Sequence, residues 1–153
     1  MRPTMAWFLF FQLVLGPTLL MGIKTKETIK NFRTLNIDYP RVKFPKSFLG
    51  YCNGLMTHVR GASQSPACPK IHYVIHAPWE VLRAFCKHSE NFCENYNEYC
   101  TLTTDTVPLT ICTLSINQPP TSCRYNTTIT NQKLYLLCSQ KKDAEPVGVI
   151  GIY

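Results

Sequence analysis

The chain has 153 residues, eight cysteines and a formal charge of +7, from 16 basic against 9 acidic side chains. Behind a 22-residue leader it holds one domain's worth of chain around a single modest core. It shows no internal repeat or low-complexity tract, and no later segment is long and apolar enough to span a bilayer, which excludes a divided chain and a later membrane anchor.

Residues 1–22, MRPTMAWFLFFQLVLGPTLLMG, carry Arg2 as their only charge, then an apolar run from Ala6 to Met21 interrupted by Gln12, Gly16 and Pro17. A span needs about 20 uninterrupted apolar residues, so this reads as a secretory signal peptide cleaved near Gly22, leaving residues 23–153 as a secreted, extracellular domain. In residues 27–35, ETIKNFRTL, Ile29, Phe32 and Leu35 recur at helical spacing, and Asp38-Tyr39-Pro40 ends that helix. A second helix is expected from Ser47 to about Arg60, with Ser47 as cap and Phe48, Cys52, Leu55, Met56 and Val59 as one stripe. A third fits PWEVLRAFC, with Pro78 in the first turn and Trp79, Leu82, Phe85 and Cys86 on one side.

Between and after these helices the chain reads as strands. IHYVIH at 71–76, TLTT after Cys100, LTICTLSI at 109–116, TSCRYNTTIT, QKLYLLCS and VGVIGIY are rich in β-branched and aromatic residues, with a turn at NQPP, 117–120. Helices come first and long antiparallel strands later, so the fold class is α+β.

Charge is concentrated near the start of the domain. Lys24, Lys26, Lys30, Arg33, Arg41, Lys43, Lys46 and Arg60 face only Glu27 and Asp38 within residues 23–60, whereas the rest of the domain is balanced. Such a segment attracts anionic partners, among them RNA, sulfated glycans and lipid head groups, or else forms a solvated, solubilising surface.

All eight cysteines, at 52, 68, 86, 93, 100, 112, 123 and 138, follow the leader, and an even count behind an export signal reads as four disulfides. There is no close CxxC pair, so zinc is not expected, and no cofactor is implied. His72 and His76 would converge on a metal from a helix, but on a strand they lie about 13 Å apart. The Tyr73-Val74-Ile75 between them favours the strand. His58 and His88 stand alone. Asn126-Thr127-Thr128 is a glycosylation sequon, which places Asn126 on the surface.

Successive cysteines lie 16, 18, 7, 7, 12, 11 and 15 residues apart. This ladder, with YCN at 51–53, CRYNTTITNQKLYLLC at 123–138 and the opening KETIKNF, resembles the pancreatic ribonuclease superfamily over residues 26–150. Spacing alone permits about 105 pairings. The resemblance implies Cys52–Cys112, Cys68–Cys123, Cys86–Cys138 and Cys93–Cys100, in a ribonuclease A-like fold of three helices packed on a bent antiparallel sheet.

Cleaving RNA through its own 2′-hydroxyl needs a base, an acid and a cation at the phosphate. The family takes the base from a histidine in the first helix, the cation from a lysine directly after the second cysteine, and the acid from a histidine in the final strand. Carried over, these positions fall on Asn36, Pro69 and Gly148, or on Val147 in place of Gly148 if no gap is allowed. Residues 1–57 and 89–153 contain no histidine, so no alignment restores either proton carrier. Asp38 as a weak base and Lys70 as a residual anion contact are the available substitutes, although a one-residue shift along a strand turns a side chain to the opposite face. Glu94 and Glu98 in the loop CENYNEYC, with Glu90 before it, would repel a phosphate backbone.

The leading expectation is therefore a secreted, monomeric, non-catalytic protein that binds an extracellular partner. Two alternatives remain, a cationic RNA-binding or host-defence protein acting through residues 23–60, and a weak residual ribonuclease.

Overall fold

The structure, a computed structural model, describes residues 26–63, 67–87, 89, 91–118, 122–140 and 143–153. The expected leader, Lys24, His88, Glu90 and part of the turn at 117–120 lie outside the described residues.

Helix α1 runs through residues 26–36 and buries Phe32, while Ile29 and Leu35 are half-buried, which is the face its apolar spacing predicts. Ile37 then bridges to Ile75, so α1 ends against the first strand. The second helix starts later than its sequence pattern suggests. Lys46–Phe48 form a single 3-10 turn, and Leu49 and Gly50 both take positive φ, 60° and 109°, before α2 runs from Tyr51–Ser63. Two left-handed residues cannot continue a helix. Ser47 therefore caps nothing, and Phe48 leaves the expected stripe and is 40% exposed, while Cys52, Leu55, Met56 and Val59 are buried. Helix α3, Trp79–Cys86, is preceded by Pro78 in extended conformation and buries Trp79, Leu82 and Cys86.

Strand β1, Ile71–Ile75, pairs with β4, Val107–Gln118, which pairs with β5, Ser122–Gln132, in an antiparallel three-stranded sheet. A second antiparallel sheet runs β2 (Asn91–Cys93), β3 (Glu98–Leu102), β6 (Leu134–Cys138) and β7 (Pro146–Ile152). The short β2 is absent from the sequence expectation, because three residues are too few to show a period of two. It exists as one arm of a hairpin whose turn is Glu94–Tyr96 with Asn97 left-handed, clamped by the Cys93–Cys100 disulfide. In β6 the alternation is plain, with Leu134, Leu136 and Cys138 fully buried.

There are two core clusters. One gathers Phe32, Ile75, Trp79, Leu82, Leu109, Leu134 and Leu136 around the Cys86–Cys138 disulfide. The other gathers Leu55, Met56, Val59, Val74 and Tyr125 around Cys52–Cys112. Burying a large aliphatic side chain contributes about 1.5–3 kcal/mol. Cys68–Cys123 closes the far end of the three-stranded sheet. The three long disulfides close loops of 60, 55 and 52 residues, and chain-entropy reasoning gives each about 4 kcal/mol. Among the described residues no helix is long and apolar enough to cross a membrane.

Candidate functional site

The region where α1 meets β1 holds the first of the three positions that the resemblance singles out. Asn36, the last residue of α1, is half-buried and donates its amide to the Tyr73 carbonyl at 2.9 Å. An amide nitrogen has no lone pair for a proton, so this group fastens the helix to the strand and cannot act as a base. One residue away on β1, His72 makes the reciprocal fastening, donating from Nε2 to the Leu35 carbonyl at 2.7 Å. Burial pushes the His72 imidazole below its usual value, with the Leu35 hydrogen bond opposing part of that shift. The ring's Nε2 proton is committed to main chain.

Pro69 lies just before β1 and offers neither charge nor N–H. Its carbonyl accepts the Tyr125 hydroxyl at 2.7 Å. Burial raises the Tyr125 pKa, and the charge of Arg60 opposes it. Lys70 is exposed, and its carbonyl accepts the Leu114 N–H at 2.9 Å, which sets the start of the β1–β4 ladder.

Gly148 sits on β7, an outer strand of the other sheet, opposite Leu137. A Cβ at this position would stand 3.4 Å from Leu137 Cδ1, an ordinary contact, so the backbone here does not demand glycine.

Asp38 is taken up by structure. Its Oδ2 accepts the Tyr51 hydroxyl at 2.5 Å and the Val42 N–H at 3.1 Å. Burial, then the hydrogen bond and charge of Asp38, drive the Tyr51 phenol well above its usual range, with Arg41 opposing. His76 joins the same cluster. In its neutral form Nδ1–H donates to the Asp38 carbonyl at 2.9 Å, leaving Nε2 to accept the Thr110 hydroxyl at 2.7 Å. The Tyr51 and His76 rings meet edge to face at 5.7 Å.

Sequence reasoning singles out Asp38 and His76 separately and misses this set of Asp38, Tyr51, His76 and Thr110. The partners lie 13 to 38 positions apart, so no local motif joins them. His58 is exposed on α2 and lines a cavity of about 270 Å³ with Leu35, Val42, Phe44 and Leu55. Glu94 is exposed and Glu98 half-buried on the small disulfide loop. Asn126 is exposed on β5, opposite Thr113. Among the described residues no group of His, Cys, Asp and Glu has the geometry of a metal site.

The family model for pancreatic ribonuclease matches residues 27–150. The chain belongs to the pancreatic ribonuclease family. It is 63% identical over 153 residues, all of this chain and 98% of the other, to a human protein described as "Probable inactive ribonuclease-like protein 13". A mouse protein of the same description is 63% identical over the full length of both chains. A black rat "Ribonuclease pancreatic gamma-type" is 30% identical over 86% of this chain and 90% of its own. Among solved structures, the ribonuclease of green turtle egg white superposes with a TM-score of 0.65 at 21% identity, covering 82% of this chain and 98% of that one, a likeness of fold. In this member of the pancreatic ribonuclease family, the α1–β1 junction carries an amide and a half-buried imidazole, both bonded to main chain.

Proposed function

We propose that the protein is a secreted, non-catalytic member of the pancreatic ribonuclease family that works by binding an extracellular partner. One observation carries it: every histidine of the chain lies between residues 58 and 88, so neither α1 nor the final strand can present an imidazole. Asn36, Pro69 and Gly148 occupy the positions where the family places its base, cation and acid. Losing a general acid or base costs about 10² to 10⁴-fold, and such groups act as a unit, so the remaining rate falls to background. The descriptions of the human and mouse relatives point the same way.

Residual catalysis would have to use Asp38 and Lys70. Asp38 is bound by Tyr51 and Val42, and Lys70 lies outside the strand that faces α1. Export through the leader at residues 1–22 and a glycan on exposed Asn126 complete the proposal; both suit a disulfide-braced chain in an oxidising compartment. The test is hydrolysis of a dinucleotide and of transfer RNA by the disulfide-intact protein. The expected result is a rate equal to that of a mock purification. A rate above it that Lys70→Ala abolishes would overturn the proposal.

A further inference from the structure

We propose that the loop from Tyr39 to Gly50 is a docking surface for anionic lipid membranes. Its chemistry is two-sided. Arg41, Lys43 and Lys46 are exposed and surround an open cavity of about 450 Å³ on whose lining no carboxylate appears. Beside these cations stand Tyr39, Val42 and Leu49, exposed by 57, 50 and 61%. A solvated basic surface has no need of apolar tips. A lipid interface uses both, with cations at the head-group phosphates and apolar side chains at the acyl boundary.

The loop is also held in shape. Phe44 lies against Gly54 of α2 and meets the rings of Phe48 at 5.6 Å and Tyr51 at 5.7 Å. The Arg41 guanidinium lies over the Tyr51 ring at 4.1 Å, and the Asp38 carboxylate accepts the Val42 N–H at 3.1 Å. The acid nearest the loop in sequence is therefore engaged by Val42 and Tyr51, while Arg41, Lys43 and Lys46 are exposed. A preorganised surface loses less entropy on docking than a floppy one.

Leu49 supplies an independent observation. It is a large apolar residue in the left-handed region, φ 60°, and most of its side chain is in water. Glycine or asparagine takes that conformation with less strain, and a leucine there gains little from burial. Strain of this kind held at an exposed tip points to a use outside the folded chain. A sulfated glycan or an RNA would engage the three cations and leave Leu49 and Val42 unexplained, so a membrane fits the whole set.

Because it names the partner, this inference rests on the binding reading above, and the two fail separately. Measured RNA hydrolysis would overturn that reading whatever the vesicles show. The test is co-sedimentation of the disulfide-intact protein with vesicles of phosphatidylcholine alone and of phosphatidylcholine mixed equally with phosphatidylserine, at low and raised salt. Binding is expected only to the mixed vesicles and should weaken with salt. Each cation removed, as in Lys43→Gln or Lys46→Gln, should weaken it about fivefold. Leu49→Gly relieves the backbone, so it should fold at least as stably while binding several-fold more weakly. Equal binding by Leu49→Gly, equal binding to neutral vesicles, or retention on dextran sulfate with no vesicle binding would each overturn the inference.

Discussion

Gly54 and Gly61 lie on the same helix, α2, and replacing each by alanine should affect stability differently. Alanine is favoured over glycine inside a helix by up to about 1 kcal/mol. At Gly61 an added Cβ meets nothing within 4 Å, so that gain should appear undiminished. At Gly54 the same Cβ would stand 2.6, 2.7 and 3.0 Å from Cγ, Cδ1 and Cδ2 of Phe44, well inside ordinary contact distance. The Phe44 ring would have to withdraw by roughly 1 Å to recover ordinary contact, disturbing its packing with Phe48 and Tyr51. Overpacking of this kind costs about 1–3 kcal/mol. Gly61→Ala should therefore stabilise by up to about 1 kcal/mol, and Gly54→Ala should run from neutral to about 2 kcal/mol destabilised. Urea unfolding of the disulfide-intact proteins, followed by far-ultraviolet circular dichroism with unchanged m values, measures both. If Gly54→Ala stabilised as much as Gly61→Ala, Phe44 would not be clamped on α2, and the loop it anchors would lose its claim to a fixed shape.

Other outcomes follow from the same geometry. Asn36→His, Pro69→Lys and Gly148→His should each stay at background in RNA hydrolysis, whereas the triple variant should rise by at least about 10²-fold; a flat triple variant would refute the placement of the lost groups. Gly148→His should fold, since its Cβ makes only an ordinary contact with Leu137. His72 has a folded pKa below its ordinary 6.5, so the unfolded chain binds the proton more readily. Its contribution to stability is intact above pH 6.5 and is lost as pH falls from there through the lowered folded value. His72→Gln, which keeps a donor for Leu35, should flatten that part of the pH–stability curve, and an imidazole titrating at or above 6.5 by NMR would contradict it. Replacing Cys52 and Cys112 together by alanine should cost about 4 kcal/mol against about 2 kcal/mol for Cys93 and Cys100, because the loops closed are 60 and 7 residues; equal losses in urea unfolding would contradict the loop-closure account.

The apolar stripes of α1 and α3, the alternation along β6 and the spacing of eight cysteines all follow from local periods and counts, which is why three helices and an antiparallel fold are legible in the residues themselves. The absence of histidine from residues 1–57 and 89–153 is legible as well, and it holds under any folding of the chain. The start of α2 is not. Ser47 and Phe48 fit a helical pattern, and the helix waits for Tyr51 because Leu49 and Gly50 turn left-handed while Phe48 packs at a tilt against Phe44, a contact made outside the helix. Nor does the sequence assign work to Asp38, His72 and His76. Each is a plausible acid, base or ligand by residue type, and each is turned to bracing by partners 13 to 38 positions away. Composition and period record what a residue can do with its neighbours along the chain. What it does with an unpaired carbonyl of another element depends on where tertiary packing brings that carbonyl, and in this protein packing places the Leu35 and Asp38 carbonyls directly on the two imidazoles.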